Sequence, residues 1–404
     1  MNFIQGGVTA AKGFSASGIY CGIRKNKSKS DLALIFSSVP CSAAAVYTQN
    51  LVKGAPILVT RSNLANGVAQ AIICNSGNAN TCNADGEQKA QMMCEAAAKE
   101  LGIQPQDVIV ASTGVIGQVL PIEPILTAAP MLVKSLSPDG SSEAAKAIMT
   151  TDTEVKNLAV ECTVGGKTVC IGGIAKGSGM IHPNMATMLC FLTTDAAISP
   201  KTLDAALREA VNVSFNMVSI DGDTSTNDMT AVLASGLASN PKIEPDSEDY
   251  NVFTAALTEL CIALSRKVAK DGEGATKLLV CNVTGAKSDN DARLVAKGVI
   301  CSSLFKAAMF GADANWGRVL CAIGYSKADT DINKVDVAFE SKSGCIEVCK
   351  NGAGIAFDED RAKAILTQDE INVNVTLHDG TFEATAFGCD LTYDYVKING
   401  DYRT

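Results

Sequence analysis

One stretch, KGSGMIHPNMATMLCFLTTD at 176–195, joins a segment rich in glycine and proline directly to an apolar run. Its two glycines and Pro183 give the backbone access to tight turns and to unusual dihedral angles. The apolar run at 188–192 predicts a buried strand, which would hold the preceding turn rigidly. The chain must therefore adopt a fold that fixes this junction between turn and strand.

This junction has two interpretations. The first is structural, a strand entered through a glycine turn. The second is chemical, because Thr187 lies at the junction and the small residue Ala186 precedes it. The Thr187 hydroxyl would attack the carbonyl of Ala186, and water would then open the resulting ester. The chain would thus cut itself between the two residues and expose a nucleophilic threonine.

Histidine is scarce, with only His182 and His378 in the whole sequence. Nucleophilic triads of the Ser-His-Asp or Cys-His kind need a positioned imidazole. A freed α-amine on Thr187, with an ordinary pKa of roughly 7.7–8, could replace it as the general base. We expect His182 to make structural hydrogen bonds in its turn, with no direct catalytic role.

Composition restricts the class of protein. The 404 residues, 47% hydrophobic and 19% charged, indicate a compact protein with one large or two ordinary domains. A net charge of -9 argues against general nucleic-acid binding, which requires a basic face. The sequence has neither an apolar run of about 18–20 residues nor a signal-peptide pattern at its start, so we expect a cytoplasmic protein without membrane contact.

Metal binding and disulfide bonding are not predicted. The 15 cysteines are odd in number, form no CxxC pair and stand mostly in apolar runs, where they act as small core residues. The acidic run DGDTSTND at 221–228 departs from the spacing of a calcium-binding EF-hand loop. We expect its short polar side chains to hydrogen-bond loop backbone near a functional site.

Strand and helix patterns alternate along the chain without a strict βαβ rhythm. Gly165 and Gly166 stand between two β-branched runs, which predicts a hairpin. Helices are expected at 87–101, 202–211, 251–269 and 291–305. Strands are expected at 32–37, 70–74, 108–112, 158–162, 188–192, 277–283, 335–339, 346–349, 371–377 and 381–386. The fold class is therefore α/β, with layered mixed or antiparallel sheets and helices.

A glycine-containing loop, STGVIG at 112–117, follows one of these predicted strands. Its glycines would free backbone N–H groups to point at a developing oxyanion. An ordinary strand-to-helix turn and a phosphate-binding loop are alternative interpretations, although the Lys-Ser/Thr pair of a P-loop is missing.

Long motifs across nearly the whole chain resemble the ornithine acetyltransferase family, the glutamate N-acetyltransferases of arginine biosynthesis. They include ICNSGNANTCNADG, ASTGVIG, MTTDT, the 176–195 stretch, SIDGDTSTND, DGEGATK and CDLTYDYVKINGDYRT. The resemblance implies an acyltransferase fold similar to that of N-terminal-nucleophile enzymes. It also implies cleavage into an α segment of 1–186 and a β segment of 187–404 that fold together.

The same resemblance implies the roles of individual residues. Thr187 would be the nucleophile, and the Thr113 hydroxyl and Gly114 N–H would stabilise the oxyanion. The residues that match substrate contacts of the family are Thr150, Lys176, Glu273, Asn399 and Thr404.

The activity implied is a ping-pong transfer of acetyl from N2-acetylornithine to glutamate. No cofactor is implied beyond acetyl-CoA, an alternative donor in bifunctional members of the family. The resemblance also implies a tetramer of two α and two β segments.

Two other functions remain open on the residues alone. A threonine N-terminal-nucleophile amidase or aminopeptidase would share the first half of the reaction but let water take the acyl group. An unprocessed protein could instead use the same pocket only to bind amino acids.

Overall fold

The structure, a computed structural model, describes residues 1–182 and 188–401. The predicted cleavage residues Ala186 and Thr187, and the predicted substrate residue Thr404, lie outside these ranges. The described strands are β1 (Asn2–Ile4), β2 (Phe14–Ile19), β3 (Leu32–Tyr47), β4 (Val68–Asn78), β5 (Val108–Val115), β6 (Lys156–Val164), β7 (Lys167–Lys176), β8 (Leu189–Thr194), β9 (Val218–Ser219), β10 (Met229–Ala234), β11 (Leu278–Ala286), β12 (Asp336–Ser341), β13 (Gly344–Lys350), β14 (Ala353–Gly354), β15 (Glu370–Thr376) and β16 (Phe382–Cys389).

Helices separate and cover these strands. The described α-helices are α1 (Ala55–Asn63), α2 (Gly86–Leu101), α3 (Ile122–Lys134), α4 (Ser141–Ile148), α5 (Pro200–Val213), α6 (Glu248–Lys270), α7 (Asp289–Cys301), α8 (Ser303–Phe310), α9 (Trp316–Tyr325), α10 (Glu359–Leu366) and α11 (Tyr393–Gly400).

The larger sheet has the strand order β1-β6-β7-β8-β10-β3-β4-β5, and β2 also pairs with β3. The pairs β8–β10 and β4–β5 are parallel and the other pairs are antiparallel. Strands β8 and β10, from the predicted β segment, therefore lie between β7 and β3 of the predicted α segment. The two predicted segments share one sheet, so each supplies backbone hydrogen bonds that the other needs.

The smaller sheet has the order β14-β13-β12-β15-β11-β16-β9. Its pairs β11–β15 and β16–β9 are parallel, and its other pairs are antiparallel. The prediction of an α/β fold with mixed or antiparallel sheets is therefore confirmed.

Helix α6 lies between the two sheets. Its buried face packs on β6 and β7 of the larger sheet and on β11 and β16 of the smaller sheet. Side chains alternate across a strand, so successive residues of β11 face different layers. Val280 packs in the core that contains α6, whereas Cys281 packs in the core that contains α7 and α9. Burial on both faces explains why β11 has a nearly continuous apolar sequence.

Other helices cover the outer faces of the larger sheet. Helix α4 packs against one face, where Phe191 of β8 contributes to the core, while Leu192 points to the opposite face beside α5 and α6. Helices α1, α2 and α3 cover β4 and β5. None of the helices in the described ranges is long and apolar enough to cross a bilayer.

The predicted hairpin is present. Gly165 and Gly166 connect β6 to β7, and both have positive φ angles of 54° and 73°, as a type I′ turn requires. The predicted helix at 291–305 is interrupted, however. Ser302 adopts an extended conformation and its side chain accepts a hydrogen bond from the backbone N–H of Phe305, so a new helix begins there.

Replacing Leu260 by alanine should destabilise the protein, because this fully buried side chain of α6 packs between the two sheets. We expect a loss of about 3 kcal/mol in the free energy of unfolding from lost burial and a residual cavity. Urea denaturation measures it. Leu51, 95% exposed, is the matched control, and its alanine variant should stay within about 0.5 kcal/mol of the wild type. Equal losses in the two variants would contradict the central position of α6.

Candidate functional site

A cavity of about 280 Å³ opens where β5, β7 and several loops meet. Its walls come from distant parts of the sequence. They are formed by Thr113, Gly114, Val115, Ile116, Thr150, Thr151, Lys176, Gly179, Met180, Ser225, Glu273 and Asn399. The structure thus brings together the six predicted site residues that it describes, namely Thr113, Gly114, Thr150, Lys176, Glu273 and Asn399.

The end of β5 supplies the glycine loop of the cavity. Gly114 has a φ of +133° and is the register partner of Gly77 in β4. A Cβ atom on Gly114 would lie 2.4 Å from the carbonyl carbon of Gly77, so a side chain has no room here. The close approach of the two strands keeps the backbone of Gly114 at the cavity wall.

Lys176, the last residue of β7, places a cation in the same wall. Its side chain is 8% exposed, and its Nζ donates a hydrogen bond of 3.1 Å to the Oγ1 of Thr113. Leu189, the first residue of β8, is its register partner. The described residues that follow the predicted cleavage site therefore enter the sheet beside this cation.

The cavity wall also contains a carboxylate, whose charge is opposite to that of Lys176. Glu273 is 8% exposed, and the Nδ2 of Asn399 donates to its Oε2 at 2.7 Å. Gly179 permits this arrangement, because a Cβ at that position would lie 2.4 Å from the Glu273 carboxylate. Helix α11 carries Asn399. Thr392, the residue before this helix, donates a hydrogen bond of 2.7 Å from its Oγ1 to the carbonyl of Gly274.

A buried ion network supports the cavity from below. Lys156, fully buried, contacts Asp152 at 2.7 Å and Asp271 at 2.5 Å. Asp152 also accepts hydrogen bonds from the backbone N–H groups of Thr150 and Gly177. Burial alone would raise the pKa of Asp152, but the ammonium groups of Lys156 and Lys176 lower it to about 2. The carboxylate is therefore ionised at neutral pH.

The acidic run at 221–228 hydrogen-bonds loop backbone beside the cavity, as expected. Asp221 accepts from the N–H groups of Met180 at 2.6 Å and Ile181 at 2.9 Å. Asn227 donates to the carbonyls of Ala79 and Ser112. Over the described ranges, no cluster of three or more His, Cys, Asp or Glu side chains is arranged to hold a metal ion.

His182 does not line the cavity. Its Nδ1 lies 3.1 Å from Ser219 Oγ and 3.4 Å from Cys301 Sγ. Burial, with a smaller contribution from Lys297, lowers its pKa to about 4, so the imidazole is neutral at physiological pH. These contacts give His182 a structural hydrogen-bonding role.

Several residues of the site were not predicted as site residues from the sequence. Gly179 and Ser225 line the cavity, and Asp152 and Asp271 hold its loops in place. Asp152 lies in the MTTDT motif and Gly179 in the KGSG segment, so both stood next to residues that were predicted. Nothing in the sequence pairs Asp271 with Lys156, which is 115 positions away.

The arrangement defines a class of site. A buried cation and a buried carboxylate can bind the two charged groups of an amino acid, and Thr113 and Gly114, residue types that can stabilise an acyl oxygen, line the same cavity. This is a site suited to acyl transfer involving amino acids.

Comparison with known proteins identifies the family. Residues 15–404 match the ArgJ family, and the chain belongs to it. It is 52% identical to the arginine biosynthesis bifunctional protein ArgJ of Symbiobacterium thermophilum and 50% identical to that of Caldanaerobacter subterraneus, each over the full length of both chains. A solved structure of the arginine biosynthesis bifunctional protein argJ from Bacillus halodurans, 45% identical with a TM-score of 0.49, covers 52% of this chain and 97% of its own. The family predicted from the sequence motifs is therefore confirmed.

Replacing Asp152 by asparagine should destabilise the loops that form the cavity, because Lys156 then keeps Asp271 as its one carboxylate partner among the described residues. We expect a loss of about 2–3 kcal/mol in the free energy of unfolding at pH 7, the amount that corresponds to the lowered pKa of Asp152. The pKa of Asp152 is lowered by folding from 3.8 to about 2, so its contribution is fully present above pH 4 and is lost as the pH falls towards 2. Urea denaturation across this range measures the difference from the wild type.

Asp85 is the matched control for that variant. It also pairs with a lysine four residues later at 2.7 Å, but on the surface. The Asp85→Asn variant should unfold at the wild-type urea concentration at every pH. Equal effects of the two substitutions would show that burial of the Asp152 pair is unimportant.

Proposed function

We propose that this protein transfers acetyl from N2-acetylornithine to glutamate through an acetyl ester on Thr187. Membership of the ArgJ family supports acetyl transfer in arginine biosynthesis. The observation that carries the proposal is the convergence on one cavity of Thr113, Gly114, Lys176 and Glu273, from three separate stretches of sequence. Their chemistry fits an amino-acid substrate whose acyl group is attacked.

The first half-reaction would acetylate the enzyme. The Thr187 hydroxyl attacks the acetyl carbonyl of N2-acetylornithine while the α-amine of Thr187 takes the hydroxyl proton. The Thr113 hydroxyl and the Gly114 N–H donate hydrogen bonds to the oxyanion of the tetrahedral intermediate. The carbon–nitrogen bond then breaks, and the α-ammonium returns a proton to the departing ornithine amine.

The second half-reaction would discharge the ester. The amine of glutamate attacks the acetyl carbonyl, and the same two donors stabilise the second oxyanion. The ester carbon–oxygen bond breaks, and a proton from the attacking amine restores the Thr187 hydroxyl. Neither half-reaction requires an oxidant or a metal ion.

Opposite charges would orient the amino acids. Lys176 pairs with a substrate carboxylate and Glu273 pairs with an ammonium group. Both side chains are 8% exposed, so the interaction takes place largely out of water, where it is stronger. Thr150, Asn399 and Thr404 would complete the substrate contacts.

Self-cleavage between Ala186 and Thr187 would create the α-amine that the mechanism requires. The resulting segments, 1–186 and 187–404, share the larger sheet, which supports their remaining together after the cut. We further propose an assembly of two α and two β segments in the cytoplasm. The reaction needs no bound cofactor, and acetyl-CoA would serve as a second donor in the manner of a co-substrate.

Replacing Thr187 by alanine should abolish both processing and transfer. Intact mass of the wild type should give two fragments meeting at Ala186 and Thr187, and the variant one chain of 41.9 kDa. Thr187→Ser, which retains a hydroxyl, should still be cut. A single uncut chain in the wild type would refute the mechanism and favour a binding protein. Acetate released without glutamate, and unaffected by adding it, would favour an amidase.

Thr113 and Thr150 should respond differently to loss of the hydroxyl. Thr113→Val removes a donor needed only in the transition state, so kcat should fall about 100-fold with little change in KM. Thr150→Val removes a ground-state contact, so KM should rise with a smaller change in kcat. Steady-state kinetics of acetyl transfer separate the two effects. An increase in KM alone for Thr113→Val would contradict the oxyanion role.

A further inference from the structure

Asp228, the last residue of the acidic run at 221–228, is a buried carboxyl group that the proposed acetyl transfer does not use. Its side chain is 3% exposed, and its Oδ2 has no hydrogen-bond partner among the described residues. A buried polar atom without a partner is costly, and native proteins contain few of them. The position of this oxygen therefore indicates a role in chemistry.

The backbone of Asp228 lies beside the point where the chain enters strand β8. The next residue, Met229, begins β10, which pairs in parallel with β8, and its N–H donates a hydrogen bond of 2.9 Å to the carbonyl of Met188. On the other side, the carbonyl of Asp228 accepts from the N–H of Thr48 at 3.0 Å. Asp228 is therefore fixed next to Met188, the residue that immediately follows the proposed nucleophile.

The carboxyl group of Asp228 also interacts with the wall of the cavity. Lys176 and Ser225, which both line the cavity, favour its anionic form. Burial has the larger effect, and it raises the pKa of Asp228 well above its ordinary value of 3.8. The carboxyl group can therefore keep a proton at a pH at which an ordinary aspartate has lost it.

Self-cleavage requires a proton-transfer group that acetyl transfer does not. In acetyl transfer the α-amine of Thr187 is the proposed base, but before the cut this nitrogen belongs to the peptide bond with Ala186. An amide nitrogen is not basic. Another group must therefore take the proton of the Thr187 hydroxyl and supply a proton to the departing nitrogen.

Two other titratable side chains near the site are engaged elsewhere. His182 contacts two side chains outside the cavity. Glu273 accepts a hydrogen bond of 2.7 Å from Asn399, and it is the proposed partner of a substrate ammonium group. Asp228 differs from both, because it combines an unpaired oxygen with a backbone position beside the start of β8.

We infer that Asp228 transfers the protons of the self-cleavage between Ala186 and Thr187. This inference rests on the proposed function. As the Thr187 hydroxyl oxygen bonds to the carbonyl carbon of Ala186, one oxygen of the carboxyl group accepts the hydroxyl proton. As the carbon–nitrogen bond breaks, the other oxygen donates its proton to the Thr187 nitrogen. The carboxyl group returns to its starting form, leaving an ester and a free α-amine, and water then opens the ester.

The test follows processing from the moment of synthesis. The wild type and Asp228→Asn are made by cell-free translation, and the disappearance of the 41.9 kDa chain is timed on denaturing gels. Asparagine keeps the shape of the side chain but cannot exchange protons as a carboxyl group does, so the rate of cutting should fall at least about 100-fold. Cutting of the variant at the wild-type rate would overturn the inference.

Asp195→Asn is the matched control for the loss of a buried carboxyl group. Asp195 is fully buried and follows the other end of β8, where it accepts hydrogen bonds from the N–H groups of Lys12 and Cys170. Its replacement should leave the rate of cutting unchanged. A comparable slowing in Asp195→Asn and Asp228→Asn would show that both act through stability, contrary to the inference.

Asp228→Glu separates chemistry from packing. Glutamate restores a carboxyl group but is one methylene larger, so it fits the buried position less well than asparagine does. We expect Asp228→Glu to be cut faster than Asp228→Asn. If the larger side chain is cut as slowly as asparagine, or more slowly, packing explains the effect and the inference fails.

Hydroxylamine identifies the step at which Asp228 acts. It cleaves esters rapidly but leaves peptide bonds intact under mild conditions, so it should not cut Asp228→Asn. Immediate cutting of this variant by hydroxylamine would mean that the ester forms without Asp228, and the inferred role would be wrong.

The wild-type chain separates this inference from the proposed function. A wild type that stays uncut would refute the proposed function itself. A wild type cut before Thr187, together with equally fast cutting of Asp228→Asn, would leave the proposed function intact and overturn the inference alone.

Discussion

The buried contact of Lys156 with Asp152 and Asp271 is the interaction on which the rest of the site depends. It joins two stretches that are far apart in sequence, 152–156 and the loop at Asp271, and hydrogen bonds attach a third at 177–178. Asp152 holds the backbone of Thr150 and Gly177, while the carbonyl of Asp271 accepts a hydrogen bond from Ser178. Charges this deeply buried are costly unless they are paired, and removal of Lys156 would leave two buried carboxylates without their shared cation. The positions of the proposed substrate residues follow from this constraint.

The larger sheet imposes a second constraint, on the order of events in folding. Strands β8 and β10 are inserted between β7 and β3, so the sheet cannot be completed until residues on both sides of the 186/187 boundary are in place. A chain cut before folding would have to assemble this sheet from two pieces. The proposed cleavage by the folded chain would avoid that difficulty, because the backbone hydrogen bonds would form while the polypeptide is still continuous.

The sequence predicted the fold class and the hairpin at Gly165–Gly166 because these depend on local periodicity and turn chemistry. It also predicted that Thr113, Lys176 and Glu273 share a site, but only through resemblance to a family. The interruption at Ser302 was missed because a serine is compatible with a helix until its side chain is seen to cap the next one. The pairing of Lys156 with Asp271 was missed because it is set by tertiary packing, which no local pattern records.

The charges of the cavity bear on which substrates it can hold. The Lys176 ammonium and the Glu273 carboxylate offset each other, an environment complementary to a zwitterion. Thr113 and Gly114 line the same cavity. In the proposed reaction the donor and the acceptor both carry a carboxylate, so one lysine would hold either of them beside the same oxyanion residues. Their discrimination would then reside in the group that each presents to Glu273.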